Sequence, residues 1–186
     1  MSNNFKITNE DARVLLKAAR EVLTDYILHG KERGFDYPLT EGLEAEAGLF
    51  VTLHKKGALR GCIGYIIGRE PLWKEVTELV IASAVKDTRF PPVNKSELDE
   101  IDIEISILTP PEKITDVNEI EMGVHGVIVK KGFRQGVFLP QVAIETGWDR
   151  DKFLSELCSQ KAGLSPDAWK KEDLEIFVFK ALVFNE

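Results

Sequence analysis

The chain has little cysteine and little histidine, and it lacks the spacings that usually mark a metal site. Its 186 residues include only two cysteines, Cys62 and Cys158, and three histidines. A chain of this size needs no disulfide to fold inside a cell, so we expect both cysteines to be free thiols. No Cys-x-x-Cys, His-x-x-x-His or clustered histidine and carboxylate spacing is present. The sequence therefore predicts no metal site and no cofactor.

Long hydrophobic runs and excess positive charge are also missing. No apolar run approaches the roughly 20 residues that cross a bilayer, and residues 1–6 lack the pattern of a signal peptide, so we expect a cytoplasmic protein with no membrane association. The net charge of −7 at pH 7 argues against general attraction to DNA or RNA phosphates, so no nucleic-acid partner is predicted. The glycines form neither a phosphate loop nor a dinucleotide-binding fingerprint, and no Gly-x-Ser-x-Gly elbow is present.

The order of the predicted elements favours one α+β domain over residues 1–186. Isoleucines alternate with polar residues from Ile101 to Ile107, which predicts a strand with one solvent-exposed face. Such a strand is typical of an antiparallel sheet. Strands and helices are mixed without regular alternation, so we expect an antiparallel sheet flanked by helices. Residues 31–48 are predicted to form a loop or a covering flap. We also expect a smaller lobe built around residues 30–70 within the same domain.

Spacing of apolar residues, caps and turn residues places the individual elements. The predicted helices run from Thr8 to about Gly30, Pro71 to Lys86, Pro140 to about Thr146, and Asp151 to Ala162. Two strands, 124–129 and 136–139, form a predicted hairpin, and a last strand runs from Leu174 to Phe184.

The segment Leu59-Arg60-Gly61-Cys62-Ile63-Gly64 is the most chemically suggestive one. As a strand it would project Arg60 and Cys62 from the same face, since side chains alternate. Cys62 is then either a thiolate nucleophile or soft ligand whose pKa is lowered by Arg60, or a small buried hydrophobic residue.

Two further segments could contribute to a site. His125 could act as a general base for Cys62 if the two strands lie close together, or it could be a hydrogen-bonded structural histidine. In the loop Asp87-Thr88-Arg89-Phe90-Pro91-Pro92, an ion pair between Asp87 and Arg89 would shape a pocket or brace the loop.

The hexapeptide Leu59–Gly64 and the Asp87–Pro92 loop together resemble the signature of the AMMECR domain family. Segments 105–109, 123–126 and 138–141 continue the match in the family's order, with the sequences Ile-Ser-Ile-Leu-Thr, Gly-Val-His-Gly and Phe-Leu-Pro-Gln. The stretch Ala-Gly-Leu-Ser-Pro-Asp-Ala-Trp at 162–169 is similar to the prokaryotic branch called AmmeMemoRadiSam system protein A.

This resemblance implies an α+β fold of two unequal lobes with a cleft near the hexapeptide. It also implies a genomic association with a Memo-like protein and a radical-SAM protein as partners. The catalytic candidates that it carries over are Cys62 and His125. The ligand-binding candidates are Arg60, Gly61, Gly64, Asp87, Arg89, Phe90, Gly126, Pro140 and Gln141.

Three hypotheses about function follow. In an enzyme, Cys62 would attack or bind an electrophile, Arg60 would hold an anionic group or the thiolate, and His125 would handle protons. In a binding or adaptor module, the same cleft would present the hexapeptide to a partner protein or small ligand. In the third hypothesis, which is purely structural, Gly61, Cys62 and Gly64 only let the strand pack against a helix.

Overall fold

The computed structural model describes residues 6–171 and 173–186, so residues 1–5, on which the expectation of no signal peptide largely rests, lie outside it. The chain divides into two compact units. The first consists of the residues up to Leu108 together with Leu182–Glu186, and the second of Thr109–Ala181. Residues 30–70 all belong to the first unit. Among the described residues, no helix is long and apolar enough to cross a membrane.

The first unit packs two helices against a three-stranded antiparallel sheet. Its elements are α1 (Asn9–His29), β1 (Gly48–Lys55), β2 (Ala58–Tyr65), α2 (Leu72–Val85) and β3 (Ile101–Leu108). Strand β1 pairs with β2 on one side and β3 on the other, and a 3₁₀ helix at Lys95–Glu100 leads into β3. The predicted helices and the strand of alternating isoleucines are therefore present.

Capping residues explain where α1 begins and ends. The Thr8 side chain accepts a hydrogen bond from the Asp11 backbone N–H, and the Asp11 carboxylate accepts one from the Thr8 N–H in return. Thr8, the predicted start of the helix, thus forms a capping box with Asp11. At the other end Gly30 has a φ of 65°, a left-handed conformation that glycine adopts without a Cβ clash.

The core of the first unit lies between the helices and one face of its sheet. Leu49, Val51 and Leu53 of β1 are fully buried there, together with isoleucines of β3 and apolar residues of α1 and α2. The alternate residues of β1, among them Thr52, lie on the opposite face of the sheet because successive side chains point to opposite sides. Thr52 pairs with Cys62 of β2, which places Cys62 on the face away from the helices.

Residue Glu186 ties the end of the described chain to the first unit. Its carboxylate accepts hydrogen bonds from Arg20 Nε of α1 at 2.9 Å and from the Ile103 backbone N–H of β3 at 2.9 Å. Residues 182–186 thus complete a unit whose other residues all precede position 109.

The second unit contains another antiparallel sheet and two short helices. Its elements are β4 (Glu112–Ile114), β5 (His125–Lys131), β6 (Arg134–Phe138), α3 (Pro140–Thr146), α4 (Arg150–Glu156) and β7 (Glu175–Asn185), which continues past Ala181. Strand β7 lies between β4 and β5, and β6 pairs with the other side of β5. The predicted β5–β6 hairpin and α3 are present, whereas β4 was not predicted.

Helix α4 and the strands enclose the core of the second unit. Phe153, Leu154, Leu157 and Cys158 are fully buried against Val127 and other apolar strand residues. Cys158 is therefore a packing residue, as its place on an apolar helix stripe suggests. The predicted helix to Ala162 differs in one respect, because α4 gives way to a π-helical turn at Leu157–Lys161.

Candidate functional site

The thiol of Cys62 lies half-buried on the sheet face away from the helices. Its Sγ is 3.3 Å from Thr52 Oγ1, and Thr52 is itself buried. Burial raises the pKa of Cys62, and the hydrogen bond with Thr52 and the positive charge of Arg89 offset only part of that effect. The group is therefore a neutral thiol at pH 7.

Arg60 does not lower the pKa of this thiol, so that prediction is wrong. The cause is a β-bulge: Leu53 pairs with Gly61 and His54 pairs with Leu59, which leaves Arg60 as an extra residue in β2. A bulge changes the direction of a side chain relative to simple alternation. The Arg60 guanidinium contacts Glu97 instead of a thiolate.

Arg60 and Glu97 form a buried two-point ion pair. Arg60 Nε donates to Glu97 Oε1 at 3.0 Å and Nη2 donates to Oε2 at 2.9 Å, and both side chains are 10% exposed. Hydrogen bonding to Arg60, against the opposing effect of burial, lowers the pKa of Glu97 to about 2. The remaining Arg60 nitrogen, Nη1, is buried and has no hydrogen-bond partner among the described residues.

Glu97 is a site residue that sequence reasoning missed. Its carboxylate also accepts hydrogen bonds from Lys55 Nζ at 3.0 Å and from the backbone and side-chain nitrogens of Asn94. The available signal was the spacing Asn94-x-x-Glu97, which is a capping box at the start of the 3₁₀ helix. That pattern predicts a cap but does not indicate which arginine the carboxylate binds.

Asp87 and Arg89 clamp the backbone of Cys62. The Cys62 N–H donates to Asp87 Oδ2 at 2.9 Å, and Arg89 Nη2 donates to the Cys62 carbonyl oxygen at 3.2 Å. Arg89 also binds Asp87 through Nε and Nη2, at 2.9 and 2.6 Å, and this holds the pKa of Asp87 well below its usual range. Since β2 is the outer strand of the first unit's sheet, the pair satisfies backbone groups that a neighbouring strand would otherwise satisfy.

Helix α2 approaches β2 at Gly61, and this contact accounts for the glycine at that position. A Cβ on Gly61 would lie 2.1 Å from the carbonyl oxygen of Ser83, so a side chain there would collide with α2. The Ser83 hydroxyl accepts from the Ile63 N–H at 3.0 Å and donates to the Val51 carbonyl oxygen at 2.7 Å, bridging β2 and β1. The packing hypothesis thus explains why Gly61 has no side chain.

Gly64 and Phe90 also have structural contacts. A Cβ on Gly64 would lie 2.3 Å from the Leu49 carbonyl oxygen and 2.4 Å from the Phe50 ring. Phe90 is half-buried, and its backbone N–H donates to the Asp87 carbonyl oxygen at 3.1 Å. The guanidinium carbon of Arg89 lies 5.6 Å from the centre of the Phe90 ring. A side chain at position 64 would thus collide with β1, and the Phe90 ring lies beside the Arg89 end of the clamp.

The remaining candidates belong to the second unit. His125 Nδ1 accepts a hydrogen bond from the Glu121 backbone N–H at 3.2 Å, and a Cβ on Gly126 would collide with the Phe179 ring at 2.2 Å. Pro140 opens α3, and the side-chain oxygen of Gln141 is buried without a hydrogen-bond partner among the described residues. The role of His125 as a base for Cys62 in the first unit stays a prediction.

The fold and the clamped hexapeptide strand define an α+β protein of antiparallel sheets flanked by helices. The family model for AMMECR1 matches residues 16–184, and the chain therefore belongs to the AMMECR1 family. This match confirms the family resemblance, while the AmmeMemoRadiSam branch stays a prediction.

Relatives and a solved structure support the same assignment. The chain is 45% identical to Protein MK0488 of Methanopyrus kandleri, over 97% of this chain and 91% of that protein. It is 43% identical to Protein PYRAB00100 of Pyrococcus abyssi, over 97% and 93% of the two chains. The crystal structure of the uncharacterized protein PH0010 from Pyrococcus horikoshii, 41% identical, superposes with a TM-score of 0.89 over 98% of this chain and 94% of that one. None of these names states an activity.

Proposed function

We propose that this protein is a binding module that presents β2 and the Asp87–Arg89 clamp to a partner, and that it is not an enzyme using Cys62 as a nucleophile. The observation that carries the proposal is the state of the thiol. A cysteine attacks as its thiolate, yet burial raises the pKa of Cys62 above the ordinary value. The two arginines of the motifs, Arg60 and Arg89, are already bound to carboxylates.

The clamp has the composition of a recognition surface. The Arg89 side chain is 56% exposed although it binds Asp87, so its guanidinium can still reach a ligand. Leu59 at the start of β2 is also exposed. Arginine is enriched at protein interfaces because its planar group both stacks and donates several hydrogen bonds. Rigid support from the clamp would keep this arginine in place before a partner arrives.

The family resemblance names the partners to test, a Memo-like protein and a radical-SAM protein. Their purified forms would be titrated against the wild-type chain and against Cys62→Ser, Arg89→Ala and Arg13→Ala variants. Arg13 is the matched control, since it is an exposed arginine of the same unit that is paired with Glu10.

The module proposal gives a definite pattern of affinities. Cys62→Ser and Arg13→Ala should bind the partner as tightly as the wild type does. Arg89→Ala should bind it with an affinity about tenfold or more lower, the loss typical of one charged hydrogen bond. A circular-dichroism melt of each variant would check that the fold is intact. Failure of both partners to bind, or equal losses for Arg89→Ala and Arg13→Ala, would overturn the proposal. A turnover activity that disappears in Cys62→Ser would favour the enzyme hypothesis instead.

A further inference from the structure

The second unit contains a cavity that the proposed function does not use. It has a volume of about 350 Å³, within the range of small-molecule sites. Charged and polar groups share its wall with an apolar floor. The wall includes Glu112, Glu119, His125 and Lys180, and the floor includes Ile114 and Val178.

Strand register brings the charged groups to one face of the second sheet. His125 of β5 lies directly opposite Lys180 of β7, so their Cβ atoms are about 5 Å apart. On the other side of β7, Glu112 of β4 lies opposite Val178. Val178 and Lys180 point to the same face because they are two residues apart. Lys180, His125 and the Glu112 carboxylate therefore share one face of the sheet with the apolar residue Val178.

These groups are free to bind a ligand. His125 Nδ1 accepts the Glu121 N–H, so the proton of a neutral imidazole lies on Nε2, which can donate. Thr109 holds the backbone of Lys180 through two hydrogen bonds of 2.9 Å. Within the part of the chain that the structure describes, neither the Lys180 ammonium nor the Glu112 carboxylate has an ion-pair partner. By contrast, the neighbouring Lys113 pairs with Glu175 at 2.7 Å.

The mixture of charges defines the class of ligand. A simple anion would be repelled by the carboxylates of Glu112 and Glu119, and a simple cation by Lys180. No group of three or more histidine, cysteine, aspartate or glutamate side chains in the described residues could hold a metal ion. A small molecule with separated opposite charges matches both parts of the wall.

We propose that this cavity binds a small zwitterion, either a free α-amino acid or a dipeptide. The ligand carboxylate lies against Lys180 Nζ and His125 Nε2, and its ammonium group lies against Glu112. Its side chain rests on the floor formed by Ile114 and Val178. Ligand binding in this cavity does not depend on the Asp87–Arg89 clamp having a partner.

The test is calorimetric titration of the full chain with the twenty amino acids and a set of leucine-containing dipeptides. The best ligand would then be compared with its N-acetyl derivative, which lacks the ammonium charge, and its amide, which lacks the carboxylate. Each derivative should bind about tenfold or more weakly, since each loses a charged hydrogen bond. Lys180→Met and Glu112→Gln should each weaken the parent ligand by a similar factor.

Lys113→Met is the matched control, because Lys113 is an exposed lysine of the same sheet that is already paired with Glu175. It should leave binding unchanged. Lys180 and Glu112 are exposed surface residues, so their variants should fold. Absence of binding by every amino acid and dipeptide at millimolar concentration would overturn the inference. So would an N-acetyl derivative that binds as tightly as its parent, or an equal loss in Lys113→Met.

Discussion

Arg60 of β2 and Glu97 of the 3₁₀ helix before β3 are joined by two parallel hydrogen bonds, and both side chains are 10% exposed. This pair connects the bulge in β2 to the segment that enters β3. A buried charge is costly when it has no partner, so the pair matters most when one member is removed. The contact therefore fixes Arg60 in a structural position instead of leaving it beside the thiol.

Removing the charge of Glu97 should destabilise the first unit strongly. Glu97→Gln leaves the Arg60 guanidinium buried without a carboxylate, and we expect the free energy of unfolding to fall by about 3 kcal/mol. Urea denaturation followed by circular dichroism would measure it. Glu10→Gln, which removes an exposed pair with Arg13, should change it by less than about 1 kcal/mol. Similar losses in the two variants would contradict the role of the buried pair.

Stability should also fall in acid for the same reason. The pKa of Glu97 is about 2 in the folded protein, below the value of about 4.3 for an unfolded glutamate. When folding lowers a pKa, the carboxylate contributes its full stabilisation at a pH above the pKa of the unfolded state. That contribution is lost as the pH falls through the pKa of the folded state. Urea titrations at several pH values should show a decline below about pH 4.5 that is shallower in Glu97→Gln than in the wild type. Parallel curves would show that another carboxylate is responsible.

Cys62 should react as an ordinary or weakened thiol. Burial raises its pKa, so the rate of alkylation by iodoacetamide should be half-maximal above the free-cysteine value of about 8.5. Thr52→Val removes a hydrogen bond that lowers the pKa, so the midpoint should move higher still. Mass spectrometry would follow both cysteines, with the fully buried Cys158 unreacted until the protein unfolds. A midpoint well below 8.5 would instead indicate a stabilised thiolate.

Alanine at position 61 should be poorly tolerated. Its Cβ would lie 2.1 Å from the Ser83 carbonyl oxygen, so α2 or β2 would have to move, at a cost of about 2–3 kcal/mol. Gly34→Ala is the control in the same unit, because no atom lies within 4 Å of its Cβ position. Thermal melts of the two variants would make the comparison. Equal melting temperatures would show that the strand and helix separate easily.

Much of the fold could be predicted from local patterns. The capping box at Thr8 and Asp11, the left-handed Gly30 and the isoleucines of β3 each depend on neighbours within a few residues. Helix α2 differs from its prediction only at the ends, since Pro71 is its N-cap instead of its first helical residue.

The candidate site was harder to predict because it depends on contacts between distant segments. The direction of Arg60 follows from a bulge whose register is set by β1, and its partner Glu97 lies 37 residues away. The pKa of Cys62 follows from burial, which its neighbours in sequence do not determine. Strand β4 has only three residues and gives too short a pattern to recognise. Residue types indicated where chemistry could occur, but not which charges were already paired.

The return of residues 182–186 to the first unit has a consequence for synthesis on the ribosome. The second unit is one continuous segment, Thr109–Ala181, so it can close as soon as it has emerged. The first unit begins to emerge earlier but receives the carboxylate of Glu186, which binds Arg20 and the Ile103 backbone, only afterwards. Domains commonly fold in the order in which they are translated. Here the first unit, whose synthesis begins before that of the second, should be the later of the two to reach its complete native structure.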